Sequence, residues 1–157
     1  MEITERKPNR LRDYDYSTNG AYFVTICTQD RKKILSSIVG DDAHIVPKPF
    51  GIVCEKYIRH VPEIVKYVIM PDHIHMIIQL ENGSMWASTP TNKKAQDNRI
   101  SSIVRSLKVL VTKEIGQSIF QRSYYDHVIR NQQDYDEVWQ YIENNPRKWV
   151  IEKRGYE

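Results

Sequence analysis

Apolar residues recur along this chain at two spacings, and the switch between them marks out the elements. Residues 21–28, AYFVTICT, are rich in aromatic and β-branched side chains, follow Asn19-Gly20 and stop at the polar cluster QDRKK, which predicts a strand. Residues 41–50 hold two prolines and two aspartates and read as loop. In GIVCEKYIRHV, residues 51–61, the positions Ile52, Val53, Tyr57 and Ile58 share one side at helical spacing and predict a short amphipathic helix. VKYVIM and HIHMIIQL, joined around Met70-Pro71-Asp72, predict a pair of antiparallel strands with a tight connection. Residues 81–99 carry almost no periodic apolar pattern and read as a long mobile loop.

Beyond that loop, Ile100, Ile103, Val104, Leu107, Leu110, Val111 and Ile115 step by three and four, the stripe of a helix that Gly116 ends. FQRSYYDHVIR, residues 120–130, predicts a further strand. Asp134 reads as the N-cap of a last helix, DYDEVWQYIENN, expected to stop by Pro146 because a residue before proline disfavours the α region. The order is strand, helix, strand, strand, helix, strand, helix. That is an α/β (α+β) arrangement, a ferredoxin-like split-βαβ sandwich with an antiparallel sheet and one helix added at the C-terminal end.

Composition narrows the class without naming a function. The 157 residues suit one domain, 1–157, led by a basic arm over 1–19 that carries Arg6, Lys7, Arg10 and Arg12. Hydrophobic residues at 40% and charged residues at 27% exclude wholesale disorder. No apolar run approaches the roughly 20 residues a membrane span requires, and the charged N-terminus has no signal-like apolar core. A cytoplasmic protein without a membrane partner is expected. Cys27 and Cys54 lie far apart with no CxxC, which excludes a zinc finger or disulfide scaffold and makes them buried thiols. A net charge of +3 permits a nucleic-acid partner without requiring one.

The most informative stretch is Met70-Pro71-Asp72-His73-Ile74-His75-Met76. On a strand, alternate side chains share a face, so His73 and His75 project together while Ile74 points into the core. Two imidazoles so placed can share one divalent cation, although an HxH pair on its own is equally read as two surface histidines. A third donor is needed. In the last helix Tyr141 and Asn145 stand one turn apart on one side, with Val138 and Ile142 placed to anchor it.

With these residues in view, the chain resembles the single-tyrosine HUH transposases, and within them the REP-associated tyrosine transposases. The resemblance runs through RLRDYDYSTNGAYFVTICTQDR, VIMPDHIHMII, IVRSLKVLVTKEI and FQRSYYDHVIRNQQDYDEVWQYIENNP in that order. It implies that His73, His75 and Asn145 ligate Mg²⁺ or Mn²⁺ and that Tyr141 is the nucleophile. It further implies a single-strand DNA endonuclease and strand transferase acting on hairpin-forming repetitive palindromes through a 5′-phosphotyrosine intermediate. Asp72 departs from the asparagine frequent before the first histidine in such proteins.

Basic and aromatic residues interleave as a single-strand surface would require, cations neutralising phosphates and rings stacking on bases. Arg10, Arg12, Tyr14, Lys108, Arg122, Arg130 and Arg147 are the expected DNA contacts. Two rivals remain open: a non-cleaving module that binds structured DNA, and a metal hydrolase using activated water. The chain acts as a monomer or a homodimer; the sequence does not choose between them.

Overall fold

The computed structural model describes residues 20–80 and 93–154. The basic arm, with Arg10, Arg12 and Tyr14, lies outside the described residues, as does the 81–92 part of the expected loop. Strands β1 (Gly20–Cys27), β4 (Ile64–Ile69), β5 (His73–Leu80) and β6 (Tyr125–Ile129) form one sheet in the order β4-β5-β1-β6. Every pairing in it is antiparallel. With helices α1 (Pro49–Ile58) and α2 (Lys93–Ile115) as the crossovers, this is the expected ferredoxin-like split-βαβ fold, and α3 (Gln132–Arg154) is the added helix.

Alternation divides the sheet residues between two cores. Tyr22, Val24 and Ile26 of β1 and Ile74, Met76, Ile78 and Leu80 of β5 face α1 and α2, where they pack with Cys54, Ile58, Ile100, Val104, Leu107 and Val111. The other face gathers Ala21, Val68, Met70, Ile77 and Ile129 beneath Val138 and Ile142 of α3. A sheet covered on both faces accounts for the almost unbroken burial along β5. Both cysteines are buried free thiols.

Several boundaries differ from those the sequence predicts. Residues 41–50 are not all loop: β3 (His44–Pro47) pairs with β2 (Ser36–Val39) in a separate antiparallel hairpin, and α1 already begins at Pro49. Prolines at a strand end cost no ladder bond, so Pro47 does not forbid β3. The inward side of α1 is Gly51, Cys54 and Ile58, whereas Ile52 is 55% exposed. Gly51 is required there, because a Cβ at that position would fall 2.0 Å from the Leu35 carbonyl oxygen. Residues 93–99 belong to α2 and not to a loop. Gly116 ends that helix as expected, at φ 87°.

The last helix differs at both ends. Its cap is Asn131, whose Oδ1 accepts from the Asp134 amide at 2.8 Å, while the Asp134 carboxylate reaches back to the Arg130 amide at 3.2 Å. Asp134 is therefore the acidic partner inside the first turn. At the other end α3 runs through Pro146 to Arg154. Proline inside a helix removes a hydrogen bond and costs about 3 kcal/mol, which the apolar burial of Val138, Ile142 and part of Trp149 against the sheet offsets.

Ile142 is 1% exposed and Ile151 on the same helix is 62% exposed. Ile142→Ala is expected to destabilise the fold by about 2–5 kcal/mol and Ile151→Ala by less than about 0.5 kcal/mol in urea unfolding. Equal costs at the two positions would contradict the docking of α3 on the sheet.

Candidate functional site

The register between β1 and β5 sets Thr25 opposite His75 and Cys27 opposite His73. Because Val24, Ile26, Ile74 and Met76 occupy the first core, Thr25, His73 and His75 point to the α3 side. The two imidazole rings lie 4.5 Å apart, edge to face. Thr25, Arg31, His73, His75, Tyr141, Asn145, Lys148, Trp149 and Glu152 line one open cleft of about 240 Å³.

Each imidazole is held at Nδ1. Asp72 Oδ1 lies 2.6 Å from His73 Nδ1, and Thr25 Oγ1 lies 2.8 Å from His75 Nδ1. A carboxylate only accepts, so His73 must carry its proton on Nδ1, which leaves Nε2 with a bare lone pair. Burial lowers the pKa of His73, against the opposing pull of Asp72. Burial also pushes His75 down to about 3, helped by the charges of His73, Arg31 and Lys148. Both rings are neutral at physiological pH, the state in which imidazole is a ligand.

Tyr141 and Asn145 come to the same place from α3, one turn apart. The Tyr141 ring stands 5.4 Å from the His75 ring and 5.8 Å from the Phe23 ring, edge-on to the latter. It is 43% exposed, so its hydroxyl-bearing ring is supported from below and open to solvent. Asn145 is buried at 6% exposure, and its amide donates weakly to the Tyr141 carbonyl at 3.5 Å. Lys148 lies over the Tyr141 ring at 5.3 Å. The four residues singled out in the sequence are thus brought together. Among the described residues no three His, Cys, Asp or Glu side chains gather as a ligand set; a cation taken up by the two imidazoles would find the Asn145 amide in the same cleft.

The expected DNA contacts distribute differently. The Lys108 ammonium is already bonded to the carbonyls of Gln121, Arg122 and Ser123, at 2.8, 3.4 and 3.3 Å, and burial lowers its pKa. It ties α2 to the segment leading into β6. Arg122 lines a separate cleft of about 440 Å³ with Lys108. Arg130 follows Ile129, which pairs with Ala21 at the end of β1 remote from Cys27 and the histidines. Arg147 is exposed and does not line the cleft. The cations that do line it are Arg31 and Lys148.

Arg31 and Thr25 carried no separate signal in the sequence. Thr25 was legible in principle, being on the face of β1 that alternation opposes to its core residues. Lys148, Trp149 and Glu152 were hidden by the expected stop at Pro146, since only a continuous helix puts them on the side of Tyr141 and Asn145.

The family described as Transposase IS200 like matches residues 16–145. This chain belongs to that family, and is therefore an enzyme of the transposase class. An uncharacterized protein of Haemophilus influenzae is 30% identical over 94% of this chain and 91% of its own length. A second protein of that organism, provisionally named REP-associated tyrosine transposase, is 34% identical over 85% of this chain and 74% of its own. The solved structure of a REP-associated tyrosine transposase bound to a REP hairpin is similar with a TM-score of 0.58 and 27% identity, covering 88% of this chain and 73% of that one. Among the described residues no helix is long and apolar enough to cross a membrane.

Thr25→Val keeps the shape of the side chain and removes the hydroxyl that bonds His75. It is expected to lower stability by about 1–3 kcal/mol in urea unfolding, with Thr25→Ser close to the parent, because a buried ring nitrogen is left unpaired. An unchanged midpoint for Thr25→Val would contradict that bond.

Proposed function

We propose that this chain is a metal-dependent single-strand DNA endonuclease and strand transferase, acting on hairpin-forming DNA through a tyrosine–DNA intermediate. The observation that carries the reading is the meeting of a half-exposed Tyr141 with two neutral imidazoles and a buried amide in one cleft. A structural module has no need of that combination.

The donor set fits a divalent cation. His73 and His75 would present Nε2, since both Nδ1 atoms are engaged, and Asn145 would present its amide oxygen. Three protein donors leave positions open for phosphate oxygen and water, and a carbonyl donor suits Mg²⁺ or Mn²⁺. When bound, such a cation offsets the negative charge of the scissile phosphate and polarises it towards attack.

The residues supply the remaining requirements. Tyr141 brings a phenol whose ordinary pKa is about 10, so its proton must leave as the oxygen attacks. The phenolic oxygen forms a bond to phosphorus, the bond from phosphorus to the 3′-oxygen breaks, and that oxygen takes up a proton to become a free 3′-hydroxyl. The 5′-phosphate is left on Tyr141 as a phosphodiester of similar energy, which permits transfer to another strand. Lys148 on the cleft wall offers positive charge to the flanking phosphates, and Trp149 offers a ring face to a base. In the broader set, Arg122, Arg130 and Arg147 are contacts for hairpin DNA beyond the cleft, Arg10, Arg12 and Tyr14 are further DNA contacts that lie outside the described residues, and the bonds of Lys108 favour a structural part for it. The REP hairpin bound by the similar solved protein supports hairpin DNA as the substrate class.

On a hairpin oligonucleotide with Mn²⁺, Tyr141→Phe is expected to abolish the covalent protein–DNA band in a denaturing gel while binding by gel shift changes less than about threefold. A persisting band would remove Tyr141 from the chemistry. His75→Ala and chelation are each expected to reduce cleavage by at least about 100-fold, given the charge the cation offsets. Cleavage that leaves a free 5′-phosphate and no attached protein would favour the hydrolase; binding with no product in any divalent metal would favour the non-cleaving module.

A further inference from the structure

The turn that leaves β1 is bound unusually closely to the residues before His73. Thr28 donates its amide to the Asp72 carbonyl at 3.0 Å, its hydroxyl lies between the carbonyls of Lys32 at 2.9 Å and Asp72 at 3.1 Å, and the Leu35 amide donates to the Pro71 carbonyl at 3.0 Å. Within this turn Asp30 and Arg31 are consecutive non-glycine residues in the left-handed region, at φ 56° and 53°. Such a pair persists only where the surroundings over-determine it, and it marks a site to be explained.

What the turn accomplishes is to send the Arg31 side chain back over the β5 end of the sheet. Its guanidinium reaches Asp72 at two points, Nε to Oδ2 at 3.3 Å and Nη2 to Oδ1 at 3.4 Å, and Nη1 reaches Cys27 Sγ at 2.8 Å. Nη2 also stands 3.5 Å from His73 Nδ1, whereas Asp72 Oδ1 is at 2.6 Å. The shorter contact decides the assignment: His73 donates to Asp72, and Arg31 engages the carboxylate that receives the proton.

We propose that Arg31 is a positioning residue that holds Asp72 in the plane of the His73 imidazole and so fixes the ring with Nδ1 protonated and Nε2 turned into the cleft. The chain of contacts runs guanidinium, carboxylate, imidazole, and each link has one arrangement because the planar fork of arginine meets both carboxylate oxygens. Asp72 alone can rotate about its side-chain torsions; with both oxygens engaged it cannot do so without losing a charge-assisted bond. Cys27, directly opposite His73 in the β1–β5 register, takes the third contact and sets the far edge of the guanidinium. His75 depends on Thr25 instead, so the two rings are oriented by separate devices.

The consequence for metal binding rests on the function proposed above, but the orientation of the ring does not. Long-range ¹⁵N NMR of histidine-labelled protein without metal reads the tautomer of each ring, with His73 assigned by His73→Ala. The parent is expected to show His73 protonated on Nδ1. In Arg31→Gln a substantial fraction is expected to move to the Nε2-protonated form while His75 is unchanged, and Mn²⁺ affinity measured by EPR of the free ion is expected to fall about tenfold. Arg31→Lys keeps the charge without the fork and is the variant of recourse if the glutamine form does not fold; the same change of smaller size is expected. An unaltered His73 tautomer in either folded variant, with Mn²⁺ affinity within twofold, overturns the assignment. Loss of oligonucleotide binding alone would also overturn it, placing Arg31 on the phosphate directly. If the tautomer responds and the parent binds no Mn²⁺, the positioning role stands and the metal-dependent function falls.

Discussion

The site depends on the register of one strand pair. With β5 locked to β1 so that Ile74 faces Ile26 and Met76 faces Val24 inside the larger core, His73 and His75 have only the opposite face to occupy. A slip of one residue would turn both imidazoles toward Leu107, Val104 and Val111 and move the isoleucines to the α3 side, a change that no local rearrangement could repair. The hydrophobic effect thus fixes the direction of two polar rings that contribute little to it. The same register delivers Thr25 to His75 and Cys27 to His73, so the β1 side of the site is assembled by the folding of the sheet itself.

The second half of the site comes from α3, which is held by apolar contacts and carries polar residues on the adjacent stripe. Val138 and Ile142 sit against Val68, Met70 and Ile77, and this fixes the azimuth at which Tyr141 and Asn145 meet the histidines. Asn145 is buried where its amide can serve as a donor, while Tyr141 remains half exposed and open to a bulky substrate. Continuation of the helix through Pro146 then adds Lys148 and Trp149 to the same wall. One helix therefore carries the proposed nucleophile, the proposed amide ligand and part of the proposed substrate surface.

The sequence was most legible where periodicity and chemistry coincide. HIHMIIQL alternates on a strand and appears as β5 over the same residues, and Ile74 is buried between the histidines as alternation requires. The stripe from Ile100 to Ile115 was equally clear, although α2 starts earlier, at Lys93, where no apolar step announces it. The β2–β3 hairpin was missed because Pro47 and Asp41-Asp42 signal a turn more strongly than SSIV and HIVP signal short strands. Pro146 misled because a local rule was overridden by packing, and that single error concealed the far wall of the cleft. Arg31 could not be read at all: its reach to Asp72 depends on a left-handed turn across 41 residues of sequence.

The central claim is that the phenolic oxygen of Tyr141 attacks phosphorus. Its most direct test is tandem mass spectrometry of proteolysed protein after reaction with a hairpin oligonucleotide, which locates the nucleotide on a particular side chain. The account predicts a 5′-phosphonucleotide on Tyr141 and on no other residue. A nucleotide carried by Tyr124, Tyr125 or Tyr135, with Tyr141 unmodified, would contradict it.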